Sequence, residues 1–161
     1  MTTGNHPVSQ PPQDTSPVPS AVVAAILCRI SDRSVLSSQG AEALARALAK
    51  RMGVKPILRG TPGQARESHW EEDLRGAGDC LRMAGEHVQE ALAGGSRSVL
   101  CAADCSVGIA TLPAVARVRP DAWVLWIDAH GDYNSPDTTP SGFLGGMTLA
   151  GACGVWDTGR F

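Results

Sequence analysis

Asp128, His130 and Asp132 stand at alternating positions in the stretch Trp126-Ile127-Asp128-Ala129-His130-Gly131-Asp132-Tyr133-Asn134. In extended backbone, alternate side chains point to one face. Two carboxylates and an imidazole can therefore converge on a single point. Oxygen donors with one imidazole suit Mn2+, Zn2+ or Fe2+. The same residues also make a polar turn, with Asp and Gly closing it and His130 left in solvent. The segment before them is apolar, Ala122-Trp123-Val124-Leu125-Trp126-Ile127, and reads as a strand that ends just before Asp128.

The rest of the chain supplies the elements that such a strand needs. Ala21 to Cys28 is a continuous apolar run, as expected of a strand covered on both faces. Arg29 to Gln39 reads as loop, and Gly40 to Met52 as a helix whose stop is Gly53. Val54 to Leu58 is a short second strand, with Pro56 placing it at an edge. Ser68-His69-Trp70-Glu71 fits a capping box. Behind it, Leu74, Ala77, Leu81, Ala84, Val88 and Leu92 share one helical face up to Gly94-Gly95. His69 and His87 fall on the solvated faces of that segment. Ser98 to Ala102 is a third strand, and Ala103 to Ser106 the turn after it. Ser106 is placed to cap a helix from Val107 to Val118, in which Pro113 implies a kink or a late start. Ala122 to Ile127 is the fourth strand. Phe143 to Cys153 is small, apolar and compatible with helix. Strand–helix repetition calls for an α/β layered fold with a mainly parallel sheet. Sites in such sheets lie at the carboxyl ends of strands. Asp104-Cys105 and Asp128 to Asp132 both fall there.

Composition narrows the function classes. The 161 residues are 43% hydrophobic and 19% charged, with a net charge of -2, as in a soluble globular protein. Without a long basic run, binding to nucleic acid or to an anionic membrane has no electrostatic support. The five cysteines (Cys28, Cys80, Cys101, Cys105, Cys153) are scattered and odd in number, so a disulfide framework is not expected. A reducing, cytoplasmic location fits them. No segment is long and apolar enough to span a membrane, and none reads as a secretory signal. Residues 1–20, rich in Pro, Ser, Thr and Gln, read as a disordered tail in which His6 is solvated. Residues 21–161 form the domain.

Three blocks resemble the ureohydrolase family of arginases, agmatinases and formimidoylglutamases. Trp126 to Asn134 is similar to the family's Asp-Ala-His-x-Asp-x-Asn metal motif. Thr139 to Ala150 resembles its Ser-Gly-Asn-Leu-His-Gly-Met-Pro-Leu-Ala segment. Ala102 to Ser106 is similar to its Gly-Gly-Asp-His-Ser. The resemblance implies a three-layer α-β-α arginase-like fold, incomplete at the C-terminus. It implies that Asp128 bridges two Mn2+ ions, that His130 binds one and Asp132 the other, and that Cys105 stands in a ligand position. Asn134 and Ser141 match positions that contact the substrate's polar end. The implied partner is a small guanidino or formimino compound, with a homo-oligomer as a further option. The implied reaction is attack of metal-activated water on the amidine carbon; a guanidino substrate yields urea and an amine.

The departures from the family pattern are as specific as the matches. Cys105 replaces a histidine ligand; a thiolate favours Zn2+ or Fe2+ over Mn2+, while a small buried residue beside the site is the alternative. Gly145 stands in place of a histidine credited with proton transfer. Phe143 replaces an asparagine that binds substrate in arginases, which points away from arginine itself. No Asp-x-Asp pair occurs in the chain, although the family carries one after a later strand. The chain therefore reads as the N-terminal part of a metal-dependent hydrolase of linear amidines, weak in metal binding and without a catalytic set of its own. The alternatives are an arginase-like scaffold that binds rather than catalyses, and a mononuclear Zn2+ amide hydrolase. In the family's sheet two later strands separate the third and fourth strands, so those two are expected to present open edges.

Overall fold

Strand β1 (Ala21–Ile26) is the centre of a parallel sheet, flanked by β2 (Ile57–Arg59) and β3 (Arg97–Cys101). The computed structural model describes residues 20–159 and 161, so the tail read as disordered lies outside the described residues except for Ser20. The continuous apolar run of β1 has a simple cause. Its side chains alternate between two faces, and each face is covered. On one side Val23 and Ala25, with Leu27 just beyond, pack against Ala41, Ala45 and Ala49 of helix α1 (Val35–Met52). On the other side Ile26 packs with Leu81 and Ala84 of α3 (Gly78–Ala93) and Ile109 and Ala110 of α4 (Gly108–Val118). Leu144, Met147 and Ala150, from the segment that ends in α5 (Thr148–Ala152), complete that second core. Fully burying each Leu or Ile contributes about 1.5–3 kcal/mol.

Helix α1 begins at Val35 rather than at Gly40. The Ser34 side chain caps it, accepting from the Leu36 amide at 3.2 Å. Its first turn buries Ser38 but no apolar side chain, with Val35 and Leu36 exposed, so hydrophobic periodicity does not mark it. At the other end Gly53 takes the left-handed conformation, φ 69°, and closes the helix. Strand β2 lies at the sheet edge as Pro56 implies, but starts at Ile57.

The long helix expected after Ser68 is two helices. α2 (Trp70–Gly76) and α3 meet at Ala77, between two glycines. His69, not Ser68, holds the cap position, and no side chain bonds there. Ser68 instead donates to Asp73 and accepts from Arg29, so the capping box is replaced by a buried ionic cluster. Helix α4 runs from Gly108 to Val118 with Pro113 inside it.

His87 is a correction: it faces the core, 2% exposed, with Nε2 lacking a partner. Burial, and secondarily the Arg59 charge, push its pKa below the ordinary 6.5. The folded form therefore resists a proton that the unfolded chain accepts. The stability that neutral His87 allows is present above pH 6.5 and is lost as pH falls through the lowered value. Urea denaturation from pH 8 to pH 5 is expected to show a steeper loss in the native sequence than in His87→Gln. The difference is bounded by one proton, about 1.4 kcal/mol per pH unit. Parallel profiles would remove His87 as the cause.

The fourth strand is also corrected. Residues 122–127 join no sheet, and Trp123, Leu125 and Ile127 are 97%, 82% and 86% exposed. A strand has no internal backbone bonds and needs a neighbour to form a ladder. β3 pairs only with β1 among the described residues, so its far edge is open, as the resemblance implied. Trp126 alone turns inward, its ring packed at Gly108 on the first turn of α4. One disulfide joins Cys28, past β1, to Cys80 on α3, with Cα atoms 6.1 Å apart. Cysteine spacing could not announce a pair 52 residues apart in sequence. Among the described residues no helix is long and apolar enough to cross a membrane.

Candidate metal centre

Cys105 opens a short 3-10 turn, Cys105–Val107, directly after β3. Asp104 sets the turn: its Oδ1 accepts from the Ser106 amide at 2.8 Å, so Asp104 rather than Ser106 is the cap. Its Oδ2 accepts from the Ser31 amide at 3.2 Å. Ser106 is buried and shares a 2.6 Å hydrogen bond with the Ser31 hydroxyl. The loop after β1 is thereby fastened to the turn that carries Cys105. Asp32, in the same loop, has a raised pKa, first through burial and then through the Asp104 charge.

The Asp128–Asp132 stretch is a turn, not an extended ribbon. Asp128 Oδ1 accepts from the His130 amide at 2.9 Å. Asp132 then takes φ 48°, a left-handed conformation uncommon outside glycine. Its carbonyl accepts from Leu149 and Ala150 at 2.9 and 3.3 Å, which pins it to the start of α5. Alternation along a strand is therefore not what joins the two carboxylates. A tight turn does it, held from α5.

The result is a cluster of three. One ligand atom from each of Cys105, Asp128 and Asp132 lies within 4.8 Å of the others. Asp132 is 5% exposed, and its Oδ2 is buried without a hydrogen-bond partner. An orphaned buried carboxylate oxygen beside a thiol and a second carboxylate is an electrostatic misfit that a cation would relieve. Burial first, then the Asp132 charge, push the Cys105 thiol up to about 12. Without a cation it stays protonated and donates to Asp128 Oδ2 at 3.8 Å. The His130 amide holds Asp128 below the usual carboxylate range.

His130 stands outside the trio. Its ring is 83% exposed, with Nδ1 3.3 Å from Asp128 Oδ1. Asn134 and Ser141 line the same cleft, about 520 Å³ in volume, together with Cys105, His130 and Asp132. Asn134 is committed to the backbone: its amide and its Nδ2 both donate to the Gly146 carbonyl, at 3.1 and 3.3 Å. Ser141 Oγ accepts from the Phe143 amide at 3.3 Å. Phe143 and Gly145 act together: a Cβ built on Gly145 would collide with the Phe143 ring. The aromatic ring fills space next to Gly145, so the two departures are one replacement. Tyr133, Pro140 and Gly146 also line the cleft, and residue spacing did not reveal them because none belongs to the residue types that ordinarily hold a divalent cation.

Residues 31–159 match the Arginase family model. The chain belongs to the arginase family. It is 46% identical over 132 residues to an N(omega)-hydroxy-L-arginine amidinohydrolase of Streptomyces lavendulae, covering 82% of the chain and 48% of that relative. It is 41% identical over 76 residues to the mitochondrial arginase-2 of Mus musculus, covering 47% of the chain and 22% of that relative. The arginase of Bacillus subtilis superposes with a TM-score of 0.60 at 23% identity, covering 81% of the chain and 45% of that structure. The chain thus spans about half the length of the first relative, and its fold is the arginase three-layer α/β fold.

Proposed function

We propose that this chain carries one metal position of an amidine-hydrolysing centre, acting on guanidino or formimino compounds. The observation behind the reading is the trio of Cys105, Asp128 and Asp132, two of which line a cleft, with an orphaned carboxylate oxygen among them. Cys105, Asp128 and Asp132 would hold the ion, Mn2+, Zn2+ or Fe2+. His130 would join them after a side-chain rotation, since its ring is free in solvent and already beside Asp128. A divalent cation there supplies Lewis acidity and lowers the pKa of water into the neutral range.

The chain's own residues do the remaining work. Binding an ion requires the Cys105 proton to leave, so metal uptake would release a proton. Asn134 and Ser141, at the cleft wall, would orient the substrate's polar end. Gly145 offers no imidazole, so proton transfer at that position would fall to solvent. A second metal position would need carboxylates beyond the three residues of this trio, because no Asp-x-Asp occurs in the 161 residues.

The test is metal content by mass spectrometry together with urea release on a panel of guanidino compounds. Bound Mn2+, Zn2+ or Fe2+ is the expected result. A metal-free protein that leaves every amidine intact would put the alternative, a non-catalytic arginase-like scaffold, ahead. Cys105→His adds a chemical check. Replacing the soft thiolate by imidazole should shift the Zn2+:Mn2+ affinity ratio towards Mn2+ by about tenfold. An unchanged ratio would mean that Cys105 is not a ligand.

A further inference from the structure

We propose that Arg59 and His87 form a binding site for a small inorganic oxyanion, between the β2 edge of the sheet and helix α3. The two residues line a cavity of about 240 Å³ together with Val22, Ile57, Glu90 and Ser96. It shares no residue with the cleft beside Cys105. Each of the two contributes a nitrogen that is buried without a hydrogen-bond partner, Arg59 Nε and His87 Nε2. The Arg59 Nε always carries a hydrogen, and the His87 Nε2 carries one in the cation and in one neutral tautomer. A buried donor is costly to leave unpaired, the more so on a charged group. Two such donors on one cavity fit two oxygens of one anion.

The sheet fixes the position of Arg59. It stands opposite Ile26 in the parallel ladder, and its carbonyl accepts from the Leu27 amide at 2.9 Å. Its guanidinium reaches Glu90 on α3, with Nη2 3.5 Å from the carboxylate. That pair is weak, because it is long and its side chains are 36% and 70% exposed. Most of the Arg59 charge is therefore left for another anion, and Nε is untouched. The charged groups that act on His87 are Arg59 from β2 and Glu90 from its own helix. From β1 the cavity takes only Val22, and from the turn before β3 the Ser96 hydroxyl, which shares a 2.8 Å hydrogen bond with Ser20. Arg59 by itself disfavours a proton on His87; a dianion held by both reverses the sign. Anion binding and protonation of His87 then favour each other.

The probe is sodium sulfate, whose charge does not change near neutral pH, so that any pH dependence belongs to the protein. It is titrated into the full chain by calorimetry and by proton NMR of the His87 ring, against sodium chloride at equal ionic strength. Sulfate is expected to bind at a single site, about tenfold tighter at about pH 5.5 than at about pH 7.5. The His87 ring should titrate at a higher pH in sulfate than in chloride. Arg59→Gln should weaken sulfate by about tenfold or more, since a charge-assisted pair is lost. Glu90→Gln should tighten it by about threefold, because an opposing charge is removed. Arg46→Gln, on the exposed face of α1, should change nothing. His87→Gln should keep part of the binding and lose its pH dependence. No sulfate binding, chloride bound as tightly, an affinity indifferent to Arg59→Gln, or a His87 resonance that ignores sulfate would each overturn the proposal.

Discussion

Asp132→Asn is expected to lower the affinity for Mn2+ or Zn2+ by about a hundredfold, and His130→Ala by less than tenfold. The contrast follows from burial. Asp132 is 5% exposed and keeps one carboxylate oxygen without any partner, so its charge acts in a medium of low dielectric. His130 lies with its ring in solvent, where its loss changes little until it rotates inward. Asparagine is the informative substitution because it tolerates the left-handed φ of 48° that most residues resist. The backbone bonds from Leu149 and Ala150 to the Asp132 carbonyl then survive, and loss of binding reports on the charge. Asp128→Asn should also weaken binding, and far more than His87→Gln, whose side chain is in the core. Competition with a chelating dye gives the affinities, and circular dichroism verifies the fold. Equal losses in Asp132→Asn and His130→Ala would sink the assignment of the trio.

The sequence was most informative where side-chain period and burial coincide. The run Ala21 to Cys28 could be read as a strand covered on both faces because helices do cover both, through Ala25 on one side and Ile26 on the other. Asp128 and Asp132 stood out by residue type and spacing, and Cys105 by its match to a ligand position in the resemblance. What brings them together was not legible. The Asp128–Asp132 turn depends on an amide of His130 and on backbone bonds from α5, neither of which leaves a trace in residue spacing. His87 was misplaced because helical periodicity around Leu81, Ala84 and Val88 leaves its side ambiguous, and α3 is covered more widely than one stripe. Residues 122–127 carry a strand's composition without its partner, and composition cannot supply a ladder. The Arg29–Asp73 pair was hidden for a different reason: two charges 44 residues apart meet only through the tertiary fold.

That pair sets the largest expected change in stability. Arg29→Ala is expected to destabilise the domain by about 3–5 kcal/mol. The side chains of Arg29 and Asp73 are 7% and 1% exposed, and they meet at 2.7 Å. Arg29 also donates to the Ser68 hydroxyl at 2.7 Å and to the carbonyls of Asp32 and Arg66 at 3.2 and 3.0 Å. Truncating it leaves a buried carboxylate whose second oxygen already lacks a partner. The penalty is that of a stranded charge more than of a lost attraction. Arg29→Ala with Asp73→Asn should therefore recover part of the loss, because the amide is cheaper to bury than the carboxylate. Urea denaturation of the two single variants and the double variant closes the cycle. A single-variant loss below about 1 kcal/mol would mean that water reaches Asp73 and screens it. The same bonds hold residues 66–68 against the end of β1, so Arg29→Ala should also speed tryptic cleavage after Arg66. Faster cleavage with unchanged global stability would place the role of Arg29 in loop anchoring alone. Both effects together would make one buried guanidinium the tie between the sheet, helix α2 and the loop after β1.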